Sequence, residues 1–121
     1  MKILVAEDEE NNIALLVRRL KRKGYEVVVA RNGQEALDLV RHENPDVVLM
    51  DMRMPVMDGY EATRALKGDG ATARIPVIGV SAHAGEEDRQ KALMAGCDGY
   101  VTKPIDFSEL LVAIDVCLKS A

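Results

Sequence analysis

At 121 residues the chain has the length of one domain, and its 48% hydrophobic composition supplies one core without room for a second full domain. Acidic residues number 20 against 16 basic ones, and the resulting net charge of −4 argues against a chain built mainly to neutralise nucleic-acid phosphates. Three Tyr, one Phe and no Trp also exclude an aromatic platform for single-stranded bases, so no direct nucleic-acid partner is expected.

The chain opens on the apolar run Ile3-Leu4-Val5-Ala6 and meets Glu7-Asp8-Glu9-Glu10 at once. That run is too short for a signal peptide or a membrane span, so a cytoplasmic location and no membrane insertion are expected. Ile13, Leu16, Val17 and Leu20 then form a helical stripe ending at Gly24. The basic run Arg18, Arg19, Lys21, Arg22 and Lys23 complements the C-terminal dipole of that helix, as Glu9 and Glu10 complement its start. A second strand, Val27-Val28-Val29-Ala30, leads to a helix opened by Asn32-x-x-Glu35, striped by Ala36, Leu37 and Val40, and closed by Asn44-Pro45.

Val47-Val48-Leu49-Met50 is the third strand and delivers Asp51; Asp58-x-x-Glu61 opens the third helix. After the flexible Gly68-Asp69-Gly70 connection, Ile75-Pro76-Val77-Ile78-Gly79-Val80 forms a fourth strand leading to Ser81. A helix from Glu86 to Ala95 stops at Gly96, and Gly99-Tyr100-Val101 is the fifth and weakest strand. Asp106-x-x-Glu109 opens the last helix, striped by Leu110, Leu111, Ile114 and Leu118. Cys97 and Cys117 have neither metal-knuckle nor Cys-x-x-Cys spacing and are expected to be reduced and buried.

Five alternations of strand and helix, with strands mostly apolar on both faces, predict an α/β fold of (βα)5 type: a parallel sheet between two helical layers. In such a sheet the C-terminal ends of the strands share one edge, where ligands bind. Glu7-Asp8, Asp51, Ser81 and Lys103 all fall there. Three clustered carboxylates repel one another by about 1–4 kcal/mol per pair, so the cluster calls for a cation or a proton. Oxygen donors of this kind suit Mg²⁺, with Mn²⁺ as an alternative. Lys103 and Ser81 add an ammonium and a hydroxyl for phosphoryl oxygens, and Asp51 is the natural carboxylate nucleophile.

At these residues the chain resembles the response-regulator receiver family, the phospho-acceptor half of two-component signalling. The resemblance is carried by Ile3-Leu4-Val5-Ala6-Glu7-Asp8-Glu9, by Val47 to Gly59 around Asp51, by Ile75-Pro76-Val77-Ile78 leading to Ser81, and by Gly99-Tyr100-Val101-Thr102-Lys103-Pro104. It covers essentially the whole chain and implies one receiver domain over residues 1–121. The implied fold is a flavodoxin-like three-layer sandwich with strand order 2-1-3-4-5.

The resemblance further implies that Asp51 takes phosphate from a phosphohistidine on a sensor histidine kinase or histidine phosphotransfer protein. It assigns Mg²⁺ to Asp8, Asp51 and the backbone carbonyl of Arg53. Glu7, where the family usually has Asp, is expected to act through metal-bound water or to reach the metal directly. Lys103 is expected to pair with the phosphoryl group. Ser81 and Tyr100 are expected to switch the face built from the fourth helix, fifth strand and fifth helix toward a downstream protein target. Arg53 and His83 are expected to tune hydrolysis of the acyl phosphate. The Lys103–Pro104 bond, trans by general frequency, is cis by this resemblance.

A signalling module that catalyses its own phosphorylation and dephosphorylation is favoured over an enzyme. An aspartyl-nucleophile phosphatase commonly has a general acid two residues after its nucleophile, and that position is Arg53. A nucleotide-binding Rossmann or flavodoxin-like domain lacks its Gly-x-Gly-x-x-Gly turn here. A receiver that no longer accepts phosphate is the remaining alternative. The start at Met1 and the end shortly after the last helix favour a complete protein over a receiver cut from a longer hybrid kinase.

Overall fold

The computed structural model describes residues 1–120. Strands and helices alternate as β1 (Lys2–Ala6), α1 (Glu10–Arg22), β2 (Glu26–Ala30), α2 (Gly33–Glu43), β3 (Val47–Asp51), α3 (Gly59–Gly68), β4 (Val77–Ser81), α4 (Glu86–Ala95), β5 (Gly99–Thr102) and α5 (Phe107–Ser120). The strands form one parallel sheet of order β2-β1-β3-β4-β5. The expected fold and strand order are therefore both present.

Alternation along each strand divides the core in two. Ile3, Val5, Val47, Leu49 and Ile78 point to a layer containing Leu16 and Leu20 of α1 and Leu110 and Ile114 of α5. Leu4, Ala6, Val48, Met50 and Val77 point the other way, onto α2, α3 and α4 through Leu37, Leu66 and Ala92. The central strands β3 and β4 are buried along their whole length, which is why their sequences show no polar alternation. Cys97 and Cys117 are free and buried, and Met50, Met52 and Met54 belong to the core.

The predicted N-cap side chains are present, but among the described residues none of the three Glu residues returns to its cap's backbone N–H. Asn32, Asp58 and Asp106 each accept the N–H three residues on, at 2.8, 2.9 and 3.2 Å. The Glu35 carboxylate instead accepts from Arg31 N–H at 3.3 Å, one residue before the cap. Helix α1 is capped by Glu9, whose carboxylate accepts the N–H groups of Asn11 and Asn12 at 3.2 and 2.8 Å, a more local role than complementing the dipole.

At the sheet edge away from the strands' C-terminal ends, Lys67 ties α3 to the adjoining segments. Its ammonium donates to the carbonyls of Ala73 and Ile75 at 3.2 and 2.8 Å and pairs with Asp98 at 2.9 Å. Among the described residues, no helix is long and apolar enough to cross a membrane.

Candidate functional site

The edge formed by the strands' C-terminal ends brings Glu7, Asp8, Asp51, Ser81 and Lys103 to one place. Parallel register sets this up: Ala6 lies opposite Met50, and Asp51 opposite Val80, so the residues that follow β1, end β3 and end β4 line up. Glu7, Asp8 and Asp51 each place a carboxylate oxygen within 4.8 Å of the others. Glu7 and Asp51 are buried, at 2% and 5% exposure, whereas Asp8 is exposed.

Lys103 lies between the two buried acids, 2.9 Å from Asp51 Oδ2 and 2.9 Å from Glu7 Oε1. Burial disfavours its charge, but hydrogen bonds and attraction from Asp51 and Glu7 outweigh that and raise its pKa above the usual lysine value. The other oxygen of Asp51 accepts the Arg53 N–H at 2.9 Å, and the other oxygen of Glu7 accepts from Asp8 and Glu9 N–H at 3.1 Å each. Lys103–Pro104 is a cis peptide bond.

The loop after β3 is shaped by local geometry. Met57 N–H donates to Pro55 C=O at 2.8 Å, closing a three-residue γ-turn centred on Val56, whose φ is +70°. Gly59 N–H then returns to Met52 C=O at 3.1 Å, and a Cβ on Gly59 would collide with the Asp51 carbonyl, so only glycine lets α3 start this close to the acid. A cavity of about 580 Å³ opens beside the acids, lined by Asp8, Arg53, Asp58, Tyr60, Asp88 and Lys91 among others. Lys91 lies 4.3 Å from the centre of the Tyr60 ring.

Ser81 is 2% exposed, and its Oγ accepts the His83 N–H at 3.1 Å. The Tyr100 hydroxyl donates to the His83 carbonyl at 2.6 Å. The backbone of His83 thus joins the two residues expected to switch, while its imidazole stands on an exposed residue. Neither this link nor the Glu7–Lys103 pair was apparent from the sequence, because both depend on side-chain reach across loops.

The donor set fits a hard cation. Among the described residues the Asp8 carboxylate has no hydrogen-bond or ion-pair partner, and the Arg53 carbonyl accepts no hydrogen bond. Two carboxylates and one carbonyl suit Mg²⁺, which keeps the rest of its shell as water and phosphoryl oxygen.

A family model described as the response regulator receiver domain matches residues 3–115. The chain belongs to that family. Among similar proteins, the polar-differentiation response regulator DivK of Brucella anthropi is 39% identical over 119 residues, covering 98% of this chain and 97% of its own. The receiver domain of sensor histidine kinase PA1611 from Pseudomonas aeruginosa, solved with a magnesium ion in its active-site cleft, is 33% identical with a TM-score of 0.90, covering 98% and 97% of the two chains. The Saccharomyces cerevisiae receiver domain of Ssk1, crystallised with the histidine phosphotransfer protein Ypd1, is 27% identical with a TM-score of 0.87, covering 94% and 86%. This chain is a response-regulator receiver domain of two-component signalling.

Proposed function

We propose that this receiver accepts a phosphoryl group on Asp51 from a phosphohistidine of a sensor histidine kinase or histidine phosphotransfer protein, with Mg²⁺ as cofactor and Mn²⁺ as an alternative. The observation that carries the reading is the convergence of three carboxylates within 4.8 Å of one another, two of them 2.9 Å from one ammonium, at the edge where this fold binds ligands. An Asp51 carboxylate oxygen attacks phosphorus, the P–N bond to the donor imidazole breaks, and that nitrogen takes up a proton. Hydrolysis reverses the state: water attacks the same phosphorus, the acyl P–O bond breaks, and Asp51 returns as carboxylate.

Arg53 N–H fixes the direction of the Asp51 carboxylate, and Lys103 stands ready to pair with an oxygen of the incoming group. Asp8, Asp51 and the Arg53 carbonyl would hold Mg²⁺, which supplies neutralising charge to the phosphoryl oxygens. Ser81 turns its hydroxyl toward the phosphoryl group and gives up the His83 N–H. That shift loosens the His83 carbonyl that holds Tyr100, and so changes the α4–β5–α5 face presented to a downstream protein target. Arg53 and His83, both exposed, tune hydrolysis of the acyl phosphate. The chain works as a signalling module acting on its own carboxylate, and its location is cytoplasmic.

Intact-mass measurement after incubation with acetyl phosphate and Mg²⁺ tests the reading. One added phosphoryl group, lost in Asp51→Asn, is the expected result. An unchanged mass under conditions that label a control receiver would mean a receiver that no longer accepts phosphate.

A further inference from the structure

Glu7 is 2% exposed and spends both carboxylate oxygens inside the protein. Oε1 pairs with the Lys103 ammonium at 2.9 Å, and Oε2 accepts the N–H groups of Asp8 and Glu9 at 3.1 Å each. An ionised carboxylate has about four lone-pair sites, and three of Glu7's are taken. Asp8, the next residue, is exposed, and its carboxylate has no partner among the described residues. The acids that converge here therefore do not stand equal toward a cation: one is free, while Glu7 is committed to the lysine.

We propose that Glu7 is a positioning residue for Lys103, holding the ammonium beside Asp51, and that this commitment weakens Mg²⁺ binding and sets the Mg²⁺ concentration at which Asp51 becomes reactive. The inference rests on the receiver reading of the site and deepens it. Lys103 carries three N–H donors; Glu7 and Asp51 occupy two, and the third remains for a phosphoryl oxygen. Glu7 thus keeps the lysine in place through the reaction, since its grip does not depend on the Asp51 oxygen that becomes phosphorylated.

The length of the side chain decides this. An aspartate anchored to the same two backbone N–H groups would end about one C–C bond, roughly 1.5 Å, short of the lysine. Its carboxylate would then be free to serve a cation through water.

The test is a Mg²⁺ titration of the unphosphorylated chain by calorimetry, in wild type, Glu7→Asp, Lys103→Met and the double variant. Glu7→Asp is expected to tighten Mg²⁺ binding by about fivefold in the wild-type background and by less than about twofold in the Lys103→Met background, where no lysine competes for the carboxylate. Weaker binding in Glu7→Asp, or equal tightening in both backgrounds, would overturn the proposal. Glu7→Gln gives an independent check through thermal melting without Mg²⁺. The midpoint losses of Glu7→Gln and Lys103→Met are expected to be strongly non-additive, and simple addition would also overturn it. No phosphodonor enters either measurement, so failure of the clamp and failure of Asp51 to accept phosphate are separately visible.

Discussion

Replacing Lys103 with Met removes the cation paired with two buried acids, Glu7 and Asp51. The Glu7 and Asp51 side chains are 3% and 7% exposed, and each lies 2.9 Å from the ammonium. At an effective dielectric of about 20, each pair attracts by roughly 6 kcal/mol before desolvation is subtracted. Desolvation takes back several kcal/mol per ion, yet removing one partner of such a pair typically costs about 3–5 kcal/mol because the other charge stays buried and unpaired. The lysine side chain is 22% exposed, so water softens the loss, and about 3 kcal/mol is the expected cost without metal. For a domain of this size 1 kcal/mol moves the melting midpoint by about 3–5 °C, so the midpoint should fall by about 10 °C. Mg²⁺ should recover more of the loss in Lys103→Met than it adds to wild type, because a cation that binds the folded site more tightly stabilises it more. Scanning calorimetry with and without Mg²⁺ reads both. A fall of less than about 2 °C, or an equal gain from Mg²⁺ in both proteins, would refute the electrostatic account of the site.

Other outcomes follow from particular contacts. Val56 is 83% exposed at φ +70°, a left-handed conformation costing a β-branched residue about 1–2 kcal/mol, so Val56→Gly should be neutral to about 1 kcal/mol stabilising in urea unfolding. Val112→Gly, the same exchange at an exposed position of α5, should instead destabilise by about 0.5 kcal/mol, and a matching sign at both positions would remove the strain argument. Lys67→Met leaves the Ala73 and Ile75 carbonyls without this donor and Asp98 with only the Val77 N–H, and should cost about 2 kcal/mol while leaving acetyl phosphate labelling unchanged, since it acts at the opposite sheet edge. Burial pushes the Cys97 thiol up to about 11. The unfolded thiol ionises near pH 8.5, so the folded state holds the extra proton above that, and stability should decline from about pH 8.5 toward 11. Urea midpoints at pH 8 and pH 10 should show a smaller decline in Cys97→Ala than in wild type.

Much of the fold was legible because each layer carries its own local signal. Val47 to Met50 and Val77 to Val80 are unbroken apolar runs since β3 and β4 are covered on both faces. Asn32, Asp58 and Asp106 mark helix starts by side chains that reach only three residues. The site was legible as a set of strand ends, because parallel register must bring them to one edge. Hidden from the sequence were features set by reach and by backbone conformation. Glu9 is a weak capping type whose use depends on how the chain leaves β1. Val56 has no intrinsic preference for a left-handed turn; the return of Gly59 to Met52 fixes it there. The length of Glu7 could be read in the sequence, but its choice of Lys103 could not, since 95 residues separate them along the chain.

The central claim is that Asp51 is the phospho-acceptor, and the most direct measurement is chemical mapping of the acyl phosphate. The chain is incubated with acetyl phosphate and Mg²⁺, treated with borohydride to reduce the acyl phosphate to a stable alcohol, and its peptides are weighed. The account requires the reduced residue to be Asp51. Reduction at Asp8, at Glu7 or at no residue, under conditions that map the site in a control receiver, would contradict it.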